Sequence, residues 1–505
     1  MTRRVLVIGG SLGGLLAAHL LRHAGWQAVV FERNEEALTG RGVGLGTHPQ
    51  LIAALRRAGI AFDASMGITV AKLVCLDRAG NIMVEQPTAR TMSAWSRLYR
   101  ALRDSLPVQD YRLGKKLRRI EQNDGSVTAI FEDGSSERGD LLVGADGIRS
   151  TVRAQFLPQV QPIYAGYVAW RAVLDEARVP REAHRDIFEL YTFCLPEGEQ
   201  LLGYPVPGHD GDTVPGRRRY NIVWYRPVDT PVLDAMCTDA SGQLQSGGIA
   251  PSLIRDEIVA RVKADAEALL APQLAEIFLR SEPFFQPIFD LESPALAFGR
   301  VALTGDAAFV VRPHVGAGAT KAAIDATVLA DCLGRAGEDV AGGLARFESV
   351  QRPFGRDIVA LSRRQGSYLS AQLKPQAQRA AANCGATWRR FCTPMAIAAI
   401  RLVTLSRRAV STRISDPQRC RIIVYSAHSR ESGNPGSTET ILLGPRFRGD
   451  ERMTKPVRSA QSACGSIPIW LDLPQRKGGE RVRRIGRRRR MQVGPVDLAE
   501  TGEPE

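Results

Sequence analysis

The 505-residue sequence has no apolar run long enough to cross a bilayer: about 20 uncharged residues are needed, and the longest candidate, 395–405, has 11 and contains Arg401. Paired cysteines are missing too. Eight cysteines lie scattered at 75, 194, 237, 332, 384, 392, 420 and 464, without CxxC spacing or a His/Cys cluster, so neither a structural zinc site nor a disulfide framework is indicated and reduced thiols are expected. No metal is expected. The opening MTRRVLVIGG runs into glycines instead of a small-residue cleavage site, so no signal peptide is read and the cytoplasm is the expected compartment. At 44% hydrophobic and 24% charged residues, wholesale disorder and collagen-like repetition are excluded, and the length suffices for two to three domain cores.

A broad basic face is also lacking, despite a net charge of +14. Residues 376–505 hold 24 Lys and Arg against 11 Asp and Glu, leaving 43 against 42 in residues 1–375. The body of the chain is balanced, and only the tail could make an electrostatic contact. Its run RRRR at 487–490 has no interleaved aromatics. A disordered charged tail is therefore expected there, with no specific nucleic-acid partner. The stretch SAHSRESGNPGSTETILLGPRFRGDER at 426–452 is similar to a translated interspersed genomic repeat, which implies a frameshift or read-through origin for 376–505.

What is present begins with a strand, a glycine turn, a helix and a strand. VLVI at 5–8 suits a buried parallel strand, Leu12, Leu15, Leu16 and Leu20 repeat at helical spacing, Gly25 closes the helix, and AVVF at 28–31 is the second strand. This is the opening unit of a doubly wound α/β fold. The turn, Gly9-Gly10-Ser11-Leu12-Gly13-Gly14, is GxGxxG with Ser11 at the second glycine position. Gly9 makes the tight turn, small Ser11 admits a pyrophosphate, Gly14 lets the helix pack on the strand, and the helix N-terminus faces the phosphates. Glu32, 18 residues after Gly14, can hold both ribose hydroxyls and would repel a 2′-phosphate; Arg33 beside it is less decisive. The unit thus suits the ADP half of FAD or NAD. Glycine-rich GRGVGLGTHP at 40–49 reads as a loop, and aromatic-rich stretches between 164 and 228 read as an inserted β-sheet. The span 255–280 is helical in pattern, and 317–333 forms an Ala-rich helix stopped by Gly334.

Two later segments choose between the nucleotides. DLLVGADGIRSTVR at 140–153 resembles the DG motif, and RVALTGDAAFVVRPHVGAGATKAAID at 300–325 the GD motif, of the flavin-dependent aromatic hydroxylases built like 4-hydroxybenzoate hydroxylase. YAGYVAWRAVL at 164–174, YPVPG at 204–208 and RPH at 312–314 resemble the branch of that family that hydroxylates dihydroxypyridines. The resemblance covers residues 3 to about 370. It implies a discontinuous FAD-binding domain at 1–165 and 285–375, a substrate-binding sheet domain at 166–284, and the basic tail beyond. It implies FAD, with NADH or NADPH as electron donor, and O2 as co-substrate. Oxygen would reach an electron-rich, hydroxylated aromatic or pyridine ring through a flavin C4a-hydroperoxide, while the protein positions the ring and excludes water.

The resemblance also implies site residues. Asp146 and Gly147 would contact flavin and nicotinamide; Asp306 would accept from the ribityl chain; Gly316 and Gly318 would let a helix N-terminus meet the flavin. Pro313 would shape the wall facing the isoalloxazine, and His314 beside it and His48 after the glycine loop are candidate catalytic residues. Relatives often have His shortly after GDA where this chain has Phe309, and Arg ahead of a leucine series where Trp95 falls. For the ring itself the sheet offers Arg171, Tyr191, Phe193, Tyr204, Trp224 and Tyr225. Other flavoprotein reactions, such as a reductase, and a noncatalytic chain with an altered C-terminus remain as alternatives; halogenation is disfavoured because no GWxWxIP-like segment occurs.

Overall fold

The computed structural model describes residues 3–38, 44–335 and 339–374; the tail at 376–505 and loop residues 40–43 lie outside them. The apolar run at the start becomes the strand Arg4–Ile8. It pairs in parallel with Gln27–Phe31 on one side and Leu141–Gly144 on the other, and Leu141–Gly144 pairs with Val301–Leu303. Short strands Tyr111–Arg112 and Ala297–Phe298 close the edges of this six-stranded sheet. Its central residues Val5, Leu6, Val7, Leu142 and Val143 are fully buried, as expected of parallel strands covered on both faces. The helices Leu12–His23 and Gly318–Arg335 share its core, and an added Cβ on Gly13 would stand 3.5 Å from that of Ala322, so the two helices pack closely.

A second sheet has nine strands, mostly antiparallel, in the order Phe309–Val310, Phe284–Glu292, Ile163–Asp175, Arg219–Pro227, Gln200–Val206, Tyr191–Cys194, Ile68–Leu76, Ile82–Ala94 and Gly44–Gly46. It draws strands from well outside 166–284, from 44–94 and from 285–310. Its two faces serve different cores, following the two-residue alternation of strands. Trp224 faces the helices Asp256–Leu269 and Pro272–Leu279, whereas Tyr225 faces the helix Val340–Ala371. Among the described residues no helix is long and apolar enough to cross a membrane.

Three local expectations are corrected. Part of the glycine loop is a strand: Gly44, Leu45 and Gly46 pair with Ala94, Ser93 and Met92. Glycine is favoured at 44 because a Cβ there would lie 2.5 Å from Val206 Cγ1, and a Cβ on Gly46 would lie 2.5 Å from Arg90 Nε and displace that side chain. The helical span 255–280 is two helices, separated where Pro272 starts the second. Gly334 sits inside the last turn of Gly318–Arg335 rather than ending it.

Candidate functional site

The opening turn is built from backbone. Gly9 has φ +106°, and a Cβ there would stand 2.4 Å from Ala145 O; on Gly14 it would stand 1.8 Å from Gly9 O. Gly9 and Gly14 therefore shape the turn from behind, while Ser11, Leu12 and Gly13 line a cavity of about 1640 Å³. Ser11 starts the helix without a side-chain cap, and no acid lies in the first turn. Those N–H groups face the cavity with the positive end of the helix, an arrangement suited to phosphate. Glu32 is buried beside the turn. Its carboxylate accepts the Gly10 N–H at 2.8 Å and the Asn34 N–H at 3.1 Å, and Arg33 is exposed.

The second motif divides its work between neighbours. The Asp146 carboxylate accepts from Ser150 Oγ at 2.5 Å, Thr151 N at 2.7 Å and Val152 N at 3.1 Å, so it ties down the start of the helix Thr151–Phe156. Burial pushes its carboxyl upward against those bonds. Asp146 lies behind the wall, while Gly147, at φ +80°, lines the cavity along with Ala145, Ile148 and Arg149.

The third motif is gripped from beneath. Lys321, fully buried, donates to Gly305 O at 2.7 Å and Asp325 Oδ2 at 3.0 Å, and Asp325 Oδ2 accepts the Gly305 N–H at 2.9 Å. Both peptide groups of Gly305 are thereby fixed, which aims Asp306 at the cavity. The Asp306 carboxyl opens onto the cavity deep within the protein, where desolvation pushes it up against the pull of Lys321. Pro313, Gly316 and Gly318 line the same wall, and the helix Gly318–Arg335 starts there without an acid in its first turn.

The ring-facing wall is made of side chains. Arg171, Tyr191, Tyr204 and Tyr225 line it, with Arg171 Nε donating to Gln286 Oε1 at 2.8 Å. Among the described residues no protein group hydrogen-bonds the hydroxyls of these three tyrosines. Burial pushes all three upward, so they stay protonated donors. Trp224 and Phe193 are not on the wall. Strand alternation sends Trp224 to the opposite face against Phe278, and Phe193 is packed beside Tyr191. Phe309 is core, pressed against Gly355.

His314 borders the cavity with both ring nitrogens engaged, Nε2 with Tyr167 Oη at 2.9 Å and Nδ1 with Gln200 Oε1 at 3.2 Å. His48 lies behind the wall, with Nδ1 3.0 Å from Thr320 Oγ1 and Nε2 facing Arg90 Nη2 at 3.3 Å. Burial, then a nearby arginine, lowers each imidazole to about 3: Arg312 for His314 and Arg90 for His48. Sequence reading missed Arg90, Gln200 and Tyr368, all of which line the cavity. They occur in no motif. Trp95, noted for replacing an arginine, also lines it and stacks on Tyr99 at 4.9 Å.

The residues present fit FAD. Two helix N-termini free of acids face one cavity, whose volume exceeds the ~300–1,000 Å³ of an ordinary ligand pocket and so has room for a dinucleotide and a ring. A model of an FAD binding domain matches residues 2–225, and one of an FAD binding domain-like family matches 164–290. The 2,6-dihydroxypyridine 3-monooxygenase of Paenarthrobacter nicotinovorans is 31% identical over 356 residues, covering 70% of this chain and 88% of that protein. The 3-amino-4-hydroxybenzoate 2-monooxygenase of Streptomyces cremeus is 28% identical over 378 residues, 72% of this chain and 86% of that one. The structure of 2,6-dihydroxypyridine-3-hydroxylase from Arthrobacter nicotinovorans superposes with a TM-score of 0.68 at 29% identity, covering 73% of this chain and 93% of its own. With three flavin motifs converging on one cavity and relatives matched over most of their length, this chain belongs to the FAD-dependent aromatic hydroxylases, monooxygenases that use NAD(P)H and O2 to hydroxylate electron-rich aromatic or heteroaromatic rings.

Proposed function

We propose that the substrate is a small hydroxylated pyridine or related ring, seated between Tyr191, Tyr204, Tyr225 and the wall formed by Pro313 and Gly316. The observation that supports this reading is the set of three tyrosines, buried as residues and lining the cavity, whose hydroxyls have no protein partner among the described residues. Such hydroxyls are free to donate to a ligand oxygen in the cavity. The similarity to a dihydroxypyridine hydroxylase supports the same ring class.

In this reading FAD, when bound, takes electrons from NADH or NADPH and activates O2. Everything else is the work of the chain. Ser11 and the N–H groups of Leu12 and Gly13 receive the pyrophosphate, Glu32 and the turn around Gly9 and Gly14 the adenosine ribose, and Asp306 the ribityl hydroxyls. Gly147 and Pro313 line the two sides of the flavin slot, and the helix end at Gly316 and Gly318 balances negative charge on the reduced ring system. Asp146 and His48 act as positioning residues, because their polar atoms are already engaged by the protein. The tyrosine hydroxyls orient the substrate oxygen, and Leu202, Val223 and Ile288 keep water from the reacting face.

The test is NAD(P)H oxidation by FAD-loaded protein with and without hydroxylated pyridines and benzoates, with hydrogen peroxide followed in parallel. Oxidation stimulated at least tenfold by a pyridine, with little peroxide and a product heavier by one oxygen, is the expected result. Equal stimulation by every ring, with all reducing equivalents appearing as peroxide, would sink the assignment of ring class.

A further inference from the structure

We infer that Arg90 selects the ionised form of the ring substrate. This rests on reading the tyrosine-lined wall as the ring site. Arg90 projects from the strand Ile82–Ala94 across two glycines. A Cβ on Gly46 would lie 2.5 Å from its Nε, and one on Gly316 would lie 2.8 Å from its Nη2, so both glycines make room for the guanidinium. Its Cζ stands 6.0 Å from the Tyr191 ring centroid. The cation thus lies where the flavin-side helix end meets the aromatic wall.

Arg90 has no carboxylate partner among the described residues. Its side chain donates to His48 Nε2 at 3.3 Å, and its Nε is buried without an acceptor. A half-buried guanidinium with a buried Nε and no carboxylate partner is stabilised by an anion. The other charged residues on the wall are Arg149, Arg171, Arg364 and one acid, Asp306, on the turn Gly305–Ala307. Positive charge therefore dominates the cavity. The planar fork of arginine matches a ring oxyanion whose charge is shared with a neighbouring ring nitrogen or oxygen.

Neither histidine at the cavity offers a free base to make that anion, and the acid on the wall, Asp306, lies on the flavin side. His48 faces Arg90 with Nε2, so this nitrogen is the acceptor and its proton is on Nδ1 toward Thr320. Gln200 Oε1 accepts from Tyr368 Oη at 2.8 Å and from His314 Nδ1, which leaves His314 Nε2 to accept from Tyr167. Both imidazole lone pairs are occupied. The ring proton therefore goes to solvent before or during entry, and Arg90 favours the species left behind, which is also the more electron-rich one.

The probe is 4-nitrophenol, whose absorbance reports its own ionisation, titrated with pH against FAD-loaded full-length protein. The expected result is that bound dye ionises at least one pH unit below free dye, equivalent to phenolate binding about tenfold more tightly than phenol. Arg90→Gln removes that preference and Arg90→Lys keeps part of it. Bound dye that ionises with the free dye in the wild-type protein overturns the inference, whatever the variants do. So does an Arg90→Gln protein with unchanged dye ionisation and a lowered flavin midpoint potential, which would assign the charge to the flavin. Failure of the wild type to bind any hydroxylated ring would instead overturn the ring-site reading beneath it.

Discussion

The two walls of the cavity are built from different material. On the flavin side, the groups that face the ligand are mainly backbone N–H groups and bare Cα atoms, with Asp306 as the side-chain acceptor, while Asp146 and Asp325 hold those peptides in place and Glu32 accepts the Gly10 N–H beside them. On the ring side, the facing groups are side chains from segments distant in sequence: Arg90, Tyr191, Tyr204 and Tyr225 from strands, and His314 from the turn Pro313–Val315. The consequence is a difference in tolerance. A backbone-made wall fails when a methyl group is added, whereas a side-chain wall fails by degrees as donors are removed one at a time.

The largest effect should come from Gly14→Ala. Its Cβ would stand 1.8 Å from the Gly9 carbonyl oxygen, so the turn or the helix Leu12–His23 must move. Overpacking of this severity costs about 3 kcal/mol, and the phosphate-facing N–H groups would be displaced. We expect protein that elutes from gel filtration with less than about a tenth of the wild-type flavin absorbance, by the factor of ten that each ~1.4 kcal/mol confers. Retention of full flavin content would mean that the turn is more pliable than its contacts indicate, and the contrast between the walls would lose its basis.

The same contrast explains how much was legible in the sequence. Gly9, Ser11 and Gly14 lie within six residues, and Gly305 to Gly318 within fourteen, because backbone sites are made by short turns whose conformation depends on local residue type. The ring wall has no such compactness. Tyr191, Tyr204 and Tyr225 could be proposed from aromatic strands, but Trp224 qualified equally until the faces of the sheet were known, and Phe193, on the same face as Tyr191, until its packing was. Arg90 left no local sign at all. It sits in a strand whose outer part is exposed, and its place in the cavity depends on the pairing of Gly44–Gly46 with Met92 to Ala94. The nine-stranded sheet was likewise legible only in its middle, since the parallel pairing of Tyr191–Cys194 with Ile68–Leu76 joins segments more than 100 residues apart.

His48 and His314 sit where the two walls meet, and they give an intermediate effect through pH. Each is lowered from 6.5 to about 3 in the folded protein, by burial first and a nearby arginine second. Above pH 6.5 both folded and unfolded chains hold these rings neutral, so the contribution to stability is fully present. As pH falls toward about 3, the unfolded chain takes up protons that the folded protein refuses, and stability is lost at about 1.4 kcal/mol per pH unit for each such histidine. Urea denaturation at pH 7.5, 6.0 and 5.0 should therefore show a steeper decline for wild type than for a His48→Gln, His314→Gln double variant. Parallel declines would show that the two rings become protonated in place, and that the junction between the walls is wetter than its geometry.

The smallest expected effect belongs to Tyr225→Phe, and it sharpens the contrast most directly. Tyr225 is 3% exposed, its ring packs against Tyr167 and His314, and those contacts survive the loss of the hydroxyl. Only a donor to the cavity is removed. One hydrogen bond to a ligand oxygen contributes roughly 0.5–1.5 kcal/mol, so the dissociation constant for a hydroxylated ring should rise about three- to tenfold while flavin content and thermal stability stay at wild-type values. The rise should be larger for an ionised ring than for its neutral O-methyl ether, because a hydrogen bond to a charged acceptor is the stronger one. Equal losses for both ligands would place the hydroxyl away from the ring oxygen, and Tyr225 would then shape the wall without reading the substrate.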